Sequence, residues 1–365
     1  LTKINFYVYL KKIFMKIGIT ADLHLKNANE TKERYEALNQ ILNILQNQDI
    51  SHLVIAGDLF DKDVYNYNDF EKLCQNYSNI NFHIIPGNHD AALDKRYFSL
   101  PNINVYSEIT IKKFDNISFL FLPYRLSGTM DEALINYFNN YNLTDKWILV
   151  GHGDYLDISK SADEYEKGYY MPLSRNIINE LEPLRVFLGH IHKAYTKDKI
   201  TYPGSPYPLD INETGKRKFL IYNTENDNIE DVYLDIDKIY MVEELLIIPT
   251  NNEIDDAINK IDNLINNWNF NDVELNKVIL RLILKGFTSD KNALIHNITQ
   301  HIVSKNIKFY DNNLPRDENL NVVKDPDREF IMKNILEKID NINYDFVFSE
   351  KQDVIEQALN LIYKD

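Results

Sequence analysis

The chain is poor in cysteine, with Cys74 alone among 365 residues. No disulfide can form within it. That excludes a disulfide-stapled secreted scaffold and gives a reducing, cytoplasmic setting as the expectation. A chain of this length buries enough surface on folding to need no such staple. It also lacks any run near the roughly 20 apolar residues that a membrane-spanning helix requires, so no membrane span is expected. Positive charge is short as well: 40 Lys and Arg face 55 Asp and Glu, a net −15. Residues 251–365 hold 14 basic and 20 acidic side chains, −6 of that total, and residues 1–250 hold the remaining −9. Neither part is basic, which excludes tight nucleic-acid binding driven by counterion release alone. A bound metal or a basic partner would have to help. There is no internal repeat, low-complexity linker or sustained heptad run.

What is present is an alternation of short apolar strands and amphipathic helices. Residues 16–20 read as a buried strand, 30–48 as a helix with Tyr35, Leu38, Leu42 and Leu45 on one stripe, and 52–56 as a second strand. A helix at 67–76 and strands at 82–85, 117–122, 147–150 and 186–188 follow. After Pro203 the pattern turns to hairpins at 218–223, 230–235 and 240–248. The mixture of crossover units and late hairpins predicts an α/β (α+β) fold with stacked or mixed sheets flanked by helices. Met15 stands directly before the first strand, so residues 1–14 are read as an extension, residues 15–250 as the first domain and 251–365 as a small C-terminal α/β domain. Two terminal helices are expected, opened by Asp325-Pro326 and by Ser349 with Gln352.

The chemistry lies where strands end. Residues 16–20 run into Ala21-Asp22-Leu23-His24, and 52–56 into Gly57-Asp58-Leu59-Phe60-Asp61. Residues 82–85 lead to Pro86-Gly87-Asn88-His89-Asp90, 147–150 to Gly151-His152-Gly153-Asp154, and 186–188 to Gly189-His190-Ile191-His192. Sites in sheet-based folds form at strand ends. Imidazole, carboxylate and amide oxygen together suit Mn²⁺, Fe²⁺, Zn²⁺ or Co²⁺. Seven candidates (Asp22, His24, Asp58, Asn88, His152, His190 and His192) are too many for one tetrahedral ion and suit two. Paired metals clamp a phosphate and activate water for in-line attack. One such turn by itself is an ordinary surface feature; five in succession, each after an apolar strand, are not.

The array Asp-x-His, Gly-Asp, Gly-Asn-His-Asp, Gly-His, Gly-His-x-His resembles the calcineurin-like metallophosphoesterase superfamily over about residues 15–240. The resemblance implies a double-sheet sandwich flanked by helices. It implies that Asp22, His24, Asp58 and His192 hold one metal and Asp58, Asn88, His152 and His190 the other, with Asp58 bridging. His89 would act on the scissile phosphate or leaving oxygen, oriented by Asp90. The two divalent ions would be Mn²⁺ first, with Fe²⁺, Mg²⁺, Zn²⁺ or Co²⁺ as substitutes.

Ala21-Asp22-Leu23-His24-Leu25, Gly57-Asp58-Leu59-Phe60-Asp61, Leu122-Pro123-Tyr124 and Tyr202-Pro203-Gly204-Ser205-Pro206 look like the SbcD-type DNA repair nucleases within that superfamily. So does the stretch from Asn212 to Lys216. The branch implies a metal-dependent DNA exonuclease and endonuclease with a C-terminal capping domain, an SMC-like ATPase partner of the SbcC type and homodimerisation through helices such as 30–48. DNA would meet Lys26, Arg96, Arg125, Lys216, Arg217 and Lys218 through its phosphates. Lys26 departs from the glycine common in relatives, and docking of the ATPase is expected to fall to the helices at 326–340 or 349–363. The alternative is a metallophosphoesterase acting on cyclic nucleotides or other small phosphate esters. A scaffold without catalysis does not fit the intact ligand set and His89.

Overall fold

The computed structural model describes residues 15–62, 67–143, 145–156, 170–323, 328–341 and 351–363. The extension at 1–14 and the helix openings at Asp325-Pro326 and Ser349 lie outside them. The chain divides into two compact units, residues 1–209 with 216–236, and residues 210–215 with 237–365.

In the first unit two six-stranded sheets are built from the predicted crossovers. One runs Asn228–Tyr233, Lys218–Asn223, Lys16–Thr20, His52–Ala56, Asn81–Ile85, Ile103–Val105 from edge to edge. Its last four strands are parallel, and Lys218–Asn223 joins Lys16–Thr20 antiparallel. The other runs Tyr195–Lys197, Ile200–Tyr202, Arg185–Gly189, Lys146–His152, Ile117–Phe121, Thr110–Phe114.

Strand alternation explains the layering. Ile17, Ile19, Val54 and Ala56 pack with Phe119, Phe121, Ile148, Val150 and Phe187, so residues of both sheets share one core. The opposite faces carry helices. Leu53 and Ile55 meet Leu38, Ile41, Leu42 and Leu45 of the helix Lys32–Asn47. Leu149 and Leu188 meet Met130 and Leu134 of Met130–Phe138 and Ile177 of Arg175–Leu181. The result is a helix-flanked sandwich of mixed α/β class. The strands of each sheet that carry site residues run parallel to one another, so their C-terminal ends fall at a common edge of that sheet.

The second unit holds a sheet of Ile239–Ile247, Val278–Thr288, Lys308–Phe309 and Arg316–Val322, with every pairing parallel to the central Val278–Thr288. Glu253–Asn267 and Lys291–Ser304 bury Ile261, Ile265, Leu294 and Ile298 against it. Met332, Leu359 and Tyr363 from the last two helices pack with Leu246 and Phe287.

Here the third expected hairpin is corrected. Residues 239–247 pair in parallel with Val278–Thr288, not with the strand before them. Parallel pairing needs a long crossover, which the helix Glu253–Asn267 supplies. The change of composition at 249–252 therefore marks the end of the second unit's first strand, and that unit takes in residues before 250, namely 210–215 and 237 onward. Among the described residues no helix is long and apolar enough to cross a membrane.

Candidate metal centre

Three of the five strand-end turns aim a polar residue by an uncommon backbone. Asp22, His24, Asp58 and His190 have φ of 55°, 45°, 51° and 97°. This left-handed region costs a non-glycine residue energy and concentrates at functional sites, where Asp, Asn and His are enriched. Two glycines are demanded by space. Gly57 has φ of 90°, and a Cβ there would lie 2.1 Å from Nδ1 of His152. A Cβ on Gly87 would lie 2.2 Å from Oδ1 of Asp58.

The side chains converge. Oδ2 of Asp58 lies 3.5 Å from Nε2 of His24 and 3.4 Å from Nε2 of His152. Its Oδ1 accepts the His89 backbone N–H at 2.8 Å. Nε2 of His24 and Nε2 of His192 face each other at 3.1 Å. Oδ1 of Asn88 is 2.8 Å from Nε2 of His152 and 3.1 Å from Nδ1 of His190. Oδ1 of Asp22 accepts the His190 backbone N–H at 2.9 Å. Donor atoms of Asp22, His24 and His192 lie within 4.8 Å of one another, as do those of Asp22, Asp58 and His152, and those of His24, Asp58 and His89. All seven predicted ligands thus meet in one place, with His89 at its margin.

Three observations fit this cluster to divalent cations. The first is an orphan: Oδ2 of Asp22 is buried with no hydrogen-bond partner, a costly state for an acceptor unless an ion satisfies it. The second is tautomer control. Nδ1 of His152 lies 2.9 Å from the Ala56 carbonyl and donates to it, so Nε2 is the ring nitrogen turned toward the cluster. The third is protonation. Burial pushes His24 down to about 3 and His190 down to about 4, so both are neutral imidazoles able to coordinate. Burial also lifts Asp22 to about 6. Burial opposes charge on Asp58 and His152, yet their mutual attraction wins. Asp58 is held below the usual carboxylate range and His152 is raised to about 9. A cation bound there competes with protonation of His152.

His89 sits beside this cluster, its ring 4.5 Å from that of His24. The group that orients it is not Asp90. The Asp90 carboxylate accepts backbone N–H groups from Gly87 at 2.7 Å and Phe60 at 3.1 Å, so it fixes the turn. Asp61, to which the sequence reading gave no role, lies 3.0 Å through Oδ1 from Nδ1 of His89. Its Oδ2 is 3.4 Å from Nζ of Lys26. The available signal was an acid three residues after a ligand, within the same turn.

The proposed phosphate contacts divide. Lys26 stands next to His89 through Asp61. Arg96 and Arg125 are exposed. Lys216 is half-buried, with Nζ 5.8 Å from the centre of the Tyr233 ring. Lys218 pairs with Asp231 at 2.6 Å. Arg217 is corrected outright: it is 4% exposed and donates to the carbonyls of Ser205 and His192, so it cannot meet DNA.

A helix-flanked double sheet whose strand ends gather buried carboxylates, imidazoles and an amide offers the donor set of a divalent-metal centre. Residues 15–194 match the family described as calcineurin-like phosphoesterase. Among solved structures the chain is similar to one described as a novel archaeal phosphodiesterase, at 15% identity over 60% of this chain and 100% of that one, with a TM-score of 0.33. It is also similar to the TT1561 protein of Thermus thermophilus, at 14% identity over 60% and 99% of the two chains, with a TM-score of 0.41. No curated protein matches.

Proposed function

We propose that the protein is a two-metal-dependent DNA exonuclease and endonuclease, the catalytic subunit of a complex with an SMC-like ATPase of the SbcC type, acting as a homodimer in the cytoplasm. The observation that carries the two-metal part is Asp58, whose Oδ2 stands within 3.5 Å of a donor from each group of ligands. The DNA part rests on the motif forms Gly57-Asp58-Leu59-Phe60-Asp61 and Tyr202-Pro203-Gly204-Ser205-Pro206 and on a second α/β unit after the first.

Asp22, His24, Asp58 and His192 would hold one cation and Asp58, Asn88, His152 and His190 the other. Bound cations supply charge for the phosphate and a water acidic enough to attack it. The chain's own residues do the rest. Asp61 holds the Nδ1 hydrogen of His89, which leaves Nε2 to carry a proton to the leaving oxygen. Lys26, beside Asp61, adds positive charge next to that histidine. Asp90 keeps the turn that presents Asn88 and His89 in shape.

One observation favours a second reading, hydrolysis of small phosphate esters. Of the cations assigned to DNA, Arg217 is buried and Lys26 and Lys218 face carboxylates, in a chain of net charge −15. The deciding experiment incubates the protein with Mn²⁺ and end-labelled single- and double-stranded DNA, with bis-(p-nitrophenyl) phosphate in parallel. Cleavage of DNA, abolished in folded Asp58→Ala and His89→Ala variants, is the expected result. Hydrolysis of the small diester alone, even with an ATPase partner present, removes the nuclease reading and keeps the small-ester one.

A further inference from the structure

Arg217 is a buried cation with no part in the chemistry above. A guanidinium is buried without penalty only where acceptors meet its fork. Here Nε donates to the Ser205 carbonyl at 2.9 Å, and Nη2 donates to the Ser205 hydroxyl and to the His192 carbonyl. The Ser205 N–H donates to that same His192 carbonyl at 3.1 Å. The two turns joined in this way are pressed backbone to backbone. Gly204 has φ of 75°, and a Cβ there would lie 2.7 Å from the His192 carbonyl oxygen. His192 in turn reaches His24 at 3.1 Å and groups with Asp22.

We infer that Arg217 is a positioning residue for the metal centre: its fork locks the turn that carries His192, and so aims the His192 ring at Asp22 and His24. The inference rests on His192 being a metal ligand. Lysine could replace the charge but not the fork, since an ammonium offers no planar pair of donors aimed at two backbone carbonyls.

The test titrates the metal-stripped full chain with Mn²⁺, read by calorimetry and by the electron paramagnetic resonance of bound Mn²⁺. It compares wild type with Arg217→Met, Arg217→Lys, Ser205→Ala and His192→Ala, and thermal melts of the metal-free proteins establish folding. The expected result is a loss of ~10–100-fold in affinity at one of two sites for Arg217→Met, the range seen when an outer partner of a metal ligand is removed. Arg217→Lys and Ser205→Ala should lose less, at the same site, and His192→Ala should lose more. If Arg217→Met does not fold, the other two variants decide. Wild-type affinity at both sites in folded Arg217 and Ser205 variants, with one site lost in His192→Ala, overturns the inference alone. Two intact sites in His192→Ala overturn the ligand reading and this inference with it.

Discussion

Asp61 and Asp90 are both acids one to three residues from a key group, and sequence spacing cannot tell their tasks apart. Only the turn geometry sends one carboxylate to an imidazole and the other to two backbone N–H groups. Asp61→Ala removes the acceptor that fixes the His89 tautomer. Turnover of bis-(p-nitrophenyl) phosphate should fall by ~10²-fold or more, the scale of lost acid catalysis, while the Mn²⁺ count stays unchanged. A drop in metal content in step with activity would give Asp61 a different role. Away from the site, His83 is hydrogen-bonded to Tyr106 at 2.8 Å and His52 at 3.0 Å. Burial, helped by His52 and Lys112, pushes its pKa down to about 3 from 6.5. The native ring stays neutral where the unfolded chain takes a proton. Its contribution to stability is therefore full above 6.5 and drains as pH falls from there toward 3. His83→Phe should lose less stability than wild type between about pH 7.5 and about pH 5 in urea titrations. An equal loss in both proteins would remove His83 from the acid response.

At the scale of elements, the helix Lys32–Asn47 and the strands that end in site turns were legible because their apolar spacing is local. The stripe read on that helix is the face that packs on the sheet, so homodimerisation through it has to use its other face. Leu42 is fully buried there, and Leu42→Ala should cost ~2–5 kcal/mol of stability while leaving the metal count at its wild-type value. A smaller cost would mean that the helix yields to fill the space. Two elements were misread for a physical reason. The partner of Ile239–Ile247 lies beyond a helix, and local pattern does not show which strand a parallel strand will join. Gly215-Lys216-Arg217-Lys218 looked like one basic patch. Alternation along the following strand puts Arg217 on the side of Phe219 and Ile221, which belong to the helix-side core, so the patch loses its middle member.

At the scale of the molecule, the place of the site was legible because polar turns follow apolar strands, whereas the strand pattern left mixed or stacked sheets open and the sandwich came from the family resemblance. The assignment of cations to a substrate was not legible, because pairing and burial depend on strands far apart in sequence. A net charge of −15 also sets an expectation for DNA. With that charge opposing the DNA backbone, the dependence of DNA affinity on salt should be shallow in the presence of Mn²⁺. A steep slope would reveal a basic surface beyond the residues named here. The most direct test of the account is the number of Mn²⁺ ions that the metal-stripped chain takes up at equilibrium, in wild type and in Asp58→Ala. Two ions per chain, with both sites weakened by Asp58→Ala, are predicted. A single ion, or two ions bound as tightly without the Asp58 carboxylate, would contradict a centre built around it.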